Sequence, residues 1–127
     1  MTLRSPLGRV RGLGSAKEGT DHFWQQRVTA VALVPLSIWF LVAVLKLSSG
    51  HYEQFQAWIA VPGNTALLLV LLFCLFHHAQ LGVQVVIEDY VAGKGARLVL
   101  LLSVKFASAL LGVFAAVAVL RTAFVGG

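Results

Sequence analysis

Three stretches of the chain are long enough to cross a membrane and nearly free of charge. Val28 to Leu45 and Asn64 to Ile87 carry none, and Leu98 to Leu120 carries only Lys105. A hydrocarbon layer of about 30 Å takes about 20 mostly apolar residues per helical crossing, so each stretch suffices for one span. None alternates with a period of two, and each far exceeds a barrel strand, which leaves helices as the way to satisfy the backbone in lipid. In 127 residues, 58% hydrophobic and 12% charged, three spans leave little for a soluble domain. The expected fold is all-α, an integral membrane protein with three transmembrane helices at about 25–47, 64–89 and 97–121.

Charge gives the orientation. Arg4, Arg9, Arg11, Lys17 and Arg27 precede the first span and Lys94 and Arg97 separate the second from the third, whereas the other side receives only Lys46 and Arg121. Short loops rich in Lys and Arg stay in the cytoplasm, which puts the N-terminus inside and the C-terminus outside. The net charge of +5 then reflects orientation, and no nucleic-acid partner is expected. Residues 1–21 read as a basic cytoplasmic tail and 22–127 as the transmembrane anchor domain. No apolar signal-peptide core precedes the first span, so that helix is expected to direct insertion itself. The acid-free run Met1 to Lys17 has a faint presequence character, but a short basic tail is the commoner source of such a composition. A bacterial inner (plasma) membrane is therefore expected ahead of a mitochondrial one. The single cysteine, Cys74, lies inside the second span, and no intrachain disulfide can form.

Local signals place the element ends. The first helix is expected to start near Thr20 or Asp21, bend at Pro35 and stop near Leu47, before Ser48-Ser49-Gly50. Between His51 and Val61, Tyr52, Phe55, Trp58 and Ile59 recur at helical spacing, which suits a short helix on the outer membrane surface. Pro62-Gly63 separates it from the second span, which should end at Asp89 or Tyr90, and Gly93-Lys94-Gly95 makes a tight turn into the third.

Inside the second span stand His77 and His78. An ionisable or metal-binding side chain at bilayer depth is costly to bury and calls for a partner or a ligand. Neutral imidazole is a common axial ligand of haem iron, and a helical bundle can supply the apolar slot. Gly82, one turn beyond His78, would let a flat macrocycle or a second helix approach. Adjacent helical residues point about 100° apart, so only one of the two histidines can serve one iron. His22 and His51 flank the first span at opposite ends, so a second axial histidine would have to come from another chain. The competing reading is a plain interhelical hydrogen bond, worth about 0.6 kcal/mol on average, in a cofactor-free structural or assembly protein.

Glu88-Asp89-Tyr90 closes the second span at its cytoplasmic end. This triplet fits a helix end reaching water, with Tyr90 in the aromatic belt, and it also fits a phenol donating to a carbonyl of a lipid-soluble substrate beside Asp89. Arg27 could face lipid phosphate, pair with Glu88 or Asp89, or hold a haem propionate. Lys105 lies within snorkelling reach of the inner surface.

His78-Ala79-x-x-Gly82 followed by Asp89-Tyr90-Val91, together with Arg27-Val28-Thr29-Ala30 at the opening of the first span, resembles the smaller hydrophobic membrane-anchor subunit of succinate dehydrogenase. The resemblance implies that His78 is an axial ligand of one haem b shared with a second membrane anchor (cytochrome b) subunit. It further implies that Tyr90 hydrogen-bonds ubiquinone, that Asp89 belongs to the same site, and that Arg27 lies near the haem propionates or the quinone pocket. The implied partners are the iron–sulfur and flavoprotein subunits, docked on the cytoplasmic face. His77 and Lys105 fall outside the shared motifs.

Overall fold

Each long apolar stretch forms one unbroken helix. The computed structural model describes residues 17–125, in which four helices follow one another: α1 (Lys17–Leu47), α2 (Tyr52–Ala60), α3 (Pro62–Tyr90) and α4 (Lys94–Phe124). No strand occurs among the described residues. Helices α1, α3 and α4 are long and apolar enough to cross a membrane. At 31, 29 and 31 residues they exceed the about 20 that a crossing needs, so they tilt or project into the headgroup layers.

The element ends mostly fall where the turn residues put them. Three starts come early: α3 takes Pro62 and Gly63 into its first turn, α4 begins at Lys94 inside the expected turn, and α1 begins at Lys17, one turn before Asp21, and so takes in the last residues assigned to the tail. Lys17 and Glu18 belong to strong helix-forming types, and a helix leaving the hydrocarbon has no reason to stop at its edge. Residues 1–16 of the expected tail lie outside the described residues. Pro35 sits within α1 without ending it, which the tolerance of membrane helices for proline allows.

The short outer helix is held by ring stacking and by the polar start of α3. Trp58 stacks on Trp39 of α1 with ring centroids 5.5 Å apart, and Phe55 stacks on Trp58 at 6.4 Å. Beneath them Ile59, Leu68 and Leu71 form a small buried cluster. Asn64 donates its amide to the Trp58 carbonyl at 2.9 Å, and the buried Thr65 hydroxyl donates to the Ile59 carbonyl. Proline at the first turn of α3 costs no helical bond, because that N–H would have no partner in any case.

At the opposite end one guanidinium closes the turn. Arg97 donates from Nε at 3.1 Å and from a terminal nitrogen at 2.8 Å to the Val91 carbonyl, just beyond the last residue of α3. Helix α3 is the shared partner of the bundle: α1 and α4 both pack against it, with no comparable interface between themselves. The helices therefore form an open layer with α3 in the middle. No side chain of α4 is buried within the chain.

Replacing Arg97 by Lys keeps the charge that orients the loop but removes the forked geometry. The expected cost is about 1 kcal/mol of stability in the detergent-solubilised protein, read as a lower thermal midpoint with topology unchanged.

Candidate functional site

The two adjacent histidines both reach α1, but they spend their nitrogens differently. His77 donates from Nε2 to the side-chain oxygen of Gln25 at 3.2 Å and stacks flat on Phe73, with centroids 5.6 Å apart and 9° between the planes. His78 meets the Thr29 hydroxyl through Nδ1 at 3.1 Å. Its Nε2 has no hydrogen-bond partner among the described residues. Gln25 and Thr29 are one turn apart on α1, so a single face of that helix receives both rings. Thr29 is 5% exposed, the most buried polar side chain of the span pair.

This contact resets the depth of the histidine. Thr29 opens the charge-free stretch of α1, and from it to Lys46, at the far end, is about 26 Å of helix. His78 is thereby level with the start of the charge-free stretch of α1, although it stands near the centre of the charge-free stretch of α3.

Further along α3, Gly82 and Asp89 continue the line of His78, offset from it by about 40° and about 20° around the axis. A Cβ added at Gly82 would meet nothing within 4 Å, so the surface beyond this glycine is open in the chain alone. Tyr90, the last residue of α3, is 84% exposed and lies about 18 Å from His78 along the helix. Arg27 stands about 3 Å from Thr29 along α1 but about 160° around it, facing away from α3. Its guanidinium lies 4.9 Å from the ring centroid of Phe23. Arg27 therefore shares the level of His78 rather than that of Tyr90, and the chain by itself does not bring it to His78, Asp89 or Tyr90.

A second polar feature was legible in the sequence and missed. Gln80 donates to Gln84 at 3.0 Å and Gln84 donates to Glu88 at 3.1 Å, a ladder at four-residue spacing from the level of the histidines to the cytoplasmic end of α3. The spacing of Gln80, Gln84 and Glu88 in an otherwise apolar run is the signal that would have found it. Between α3 and α4 a cleft of about 460 Å³ gathers His77, Gln80 and Lys105 above a floor that includes Phe76 and Gly112. At the start of α1, His22 buries Nε2 without a hydrogen-bond partner among the described residues. No cluster of three or more His, Cys, Asp or Glu side chains suited to a metal occurs among the described residues.

Fold and site together define a class: a small helical membrane anchor whose intramembrane polar groups are only partly covered by its own chain. The chain belongs to the succinate dehydrogenase/fumarate reductase transmembrane subunit family, whose model matches residues 1–120. It is 36% identical to the succinate dehydrogenase hydrophobic membrane anchor subunit of Rickettsia bellii, over 85% of this chain and 86% of that one. The corresponding subunit of Paracoccus denitrificans is 31% identical over 84% and 82%, and that of Rickettsia conorii is 31% identical over 81% and 82%. No solved structure matches it. The protein is thus a multi-pass inner-membrane subunit of an oxidoreductase complex and serves as its membrane anchor.

The Gln25 and His77 pair should behave as packing. A double-mutant cycle with Gln25→Ala and His77→Ala, read by unfolding in mixed micelles, should return a coupling of about 0.6 kcal/mol, the average for interhelical hydrogen bonds in membranes.

Proposed function

We propose that the chain anchors a succinate:quinone oxidoreductase and shares one haem b and the ubiquinone-reduction site with a second membrane anchor (cytochrome b) subunit. The iron–sulfur and flavoprotein subunits dock on the cytoplasmic face, where the exposed Asp89 and Tyr90 end α3. The reading is carried by the division of labour between the histidines: His77 commits Nε2 to Gln25, whereas His78 keeps Nε2 uncommitted.

The residues fit a haem on this side of α3. His78 offers the lone pair of Nε2, and Gly82 leaves free the space that a side chain would fill. Arg27, level with the imidazole, would hold a propionate. Haem b, when bound, would supply a one-electron redox centre.

At the cytoplasmic end the chain contributes polarity to the quinone reaction. The Tyr90 phenol is an uncharged donor that can hold a quinone carbonyl oxygen and stabilise the negative charge that grows there during reduction. Asp89 accepts hydrogen bonds beside it and orients the donors around that oxygen. Reduction of a quinone to a quinol takes up two electrons and two protons, and the exposure of this end gives protons a short way in from water. The chain alone carries no redox group and is inactive without its partners.

In the assembled complex, His78→Ala should abolish or alter the b-type reduced-minus-oxidised spectrum, while His77→Ala should leave it in place. An unchanged spectrum in the His78 variant defeats the ligand assignment. Tyr90→Phe should lower ubiquinone reduction about tenfold, the value of one hydrogen bond of about 1.4 kcal/mol, and leave succinate oxidation by a soluble dye intact. Equal loss in both assays points to misassembly and removes Tyr90 from the site.

A further inference from the structure

The Thr29 hydroxyl has three polar neighbours and one proton. It lies 2.8 Å from the Gln25 carbonyl, 3.0 Å from the Gln26 carbonyl and 3.1 Å from Nδ1 of His78. Both carbonyl oxygens can only accept, and a 2.8 Å approach of two oxygens without a proton between them is repulsive. The proton of Thr29 therefore points back along its own helix, a common arrangement for a threonine inside a membrane helix. What remains toward His78 is a lone pair, and a lone pair at 3.1 Å from Nδ1 requires Nδ1 to carry the hydrogen.

We infer that Thr29 is the positioning residue of His78: it accepts the Nδ1 hydrogen, fixes the tautomer that leaves Nε2 unprotonated, and sets the direction in which Nε2 faces. The inference rests on the proposed ligation of haem by His78 and adds to it the group that makes this nitrogen ligand-ready. The neighbouring histidine provides the contrast, because His77 hydrogen-bonds through Nε2, to the side-chain oxygen of Gln25, and makes no bond to the Thr29 hydroxyl. Burial reinforces the effect, since Thr29 is 5% exposed and water cannot readily take over as acceptor.

An imidazole that donates its far N–H is a more basic ligand, because the bond shifts electron density toward the coordinating nitrogen. A more basic axial ligand favours the oxidised iron. Thr29 should therefore lower the reduction potential of the haem and hold one ring orientation.

The test uses the assembled complex and the near-isosteric pair Thr29→Val and Thr29→Ser. Thr29→Val keeps the branched shape and removes the acceptor, so the haem midpoint potential should rise, and the low-spin electron paramagnetic resonance signal should broaden or shift as the ring loses its fixed orientation. Thr29→Ser restores the hydroxyl and should return both readouts toward wild type. Three outcomes overturn the proposal: a Val variant with wild-type potential and signal, a Val variant with a lowered potential, or a Ser variant that behaves like Val. His78→Ala measured in parallel separates the two levels of the argument. If it leaves the b-type spectrum unchanged, the ligation itself is wrong; if it removes the spectrum while Thr29→Val changes nothing, only the role of Thr29 falls.

Discussion

A hydroxyl and an imidazole meeting at 3.1 Å between α1 and α3 set the register on which the rest of the arrangement depends. Lipid gives apolar helices little reason to prefer one alignment over another, because tails solvate leucine as well as another helix does. Polar contacts break that degeneracy. With Thr29 against His78 and Gln25 against His77, α1 can slide or rotate on α3 only by breaking both contacts, the first of them at a buried hydroxyl. The level of Arg27, the depth of the histidines and their distance from Tyr90 all follow from this alignment.

Polarity in the chain is graded along the membrane normal. The outer half is held by indole stacking and by the Asn64 and Thr65 bonds onto α2, with a small aliphatic cluster beneath. The inner half holds the histidines, the glutamine ladder to Glu88, Lys105 and the Arg97 clasp on Val91. Structural support and chemical capacity are thus assigned to opposite halves. Under the proposed function electrons and protons arrive from one side, and that is the side on which the polar groups are concentrated.

The helices, the outer surface helix and both tight connections were legible in the sequence because each depends on local signals: charge-free runs of span length, the aromatic spacing from Tyr52 to Ile59, Pro62-Gly63 and Gly93. The early start of α1 was not, since no turn residue marks it. His78, Asp89, Tyr90 and Arg27 stood out by chemical type and motif, but their relative levels did not, because register between helices is a tertiary property. His78 stands near the centre of the charge-free run of α3, whereas its bond to Thr29 sets it level with the start of the charge-free run of α1. Thr29 itself was in view as part of the first-span motif, yet a threonine among valines and alanines gives no hint of its partner until the facing helix is known.

The open layer formed by α1, α3 and α4 has a consequence for how the subunit is recognised. Neither broad side of α3 is closed by this chain, and α4 buries none of its side chains. Greasiness carries almost no information in a solvent of acyl tails, so a companion polypeptide cannot distinguish this slab from any other by apolar area. What it can read is a sparse code: a bare glycine, a run of amides, an exposed phenol and an imidazole nitrogen with no partner among the described residues. Fidelity of assembly then rests on these few polar groups more than on the apolar surface around them.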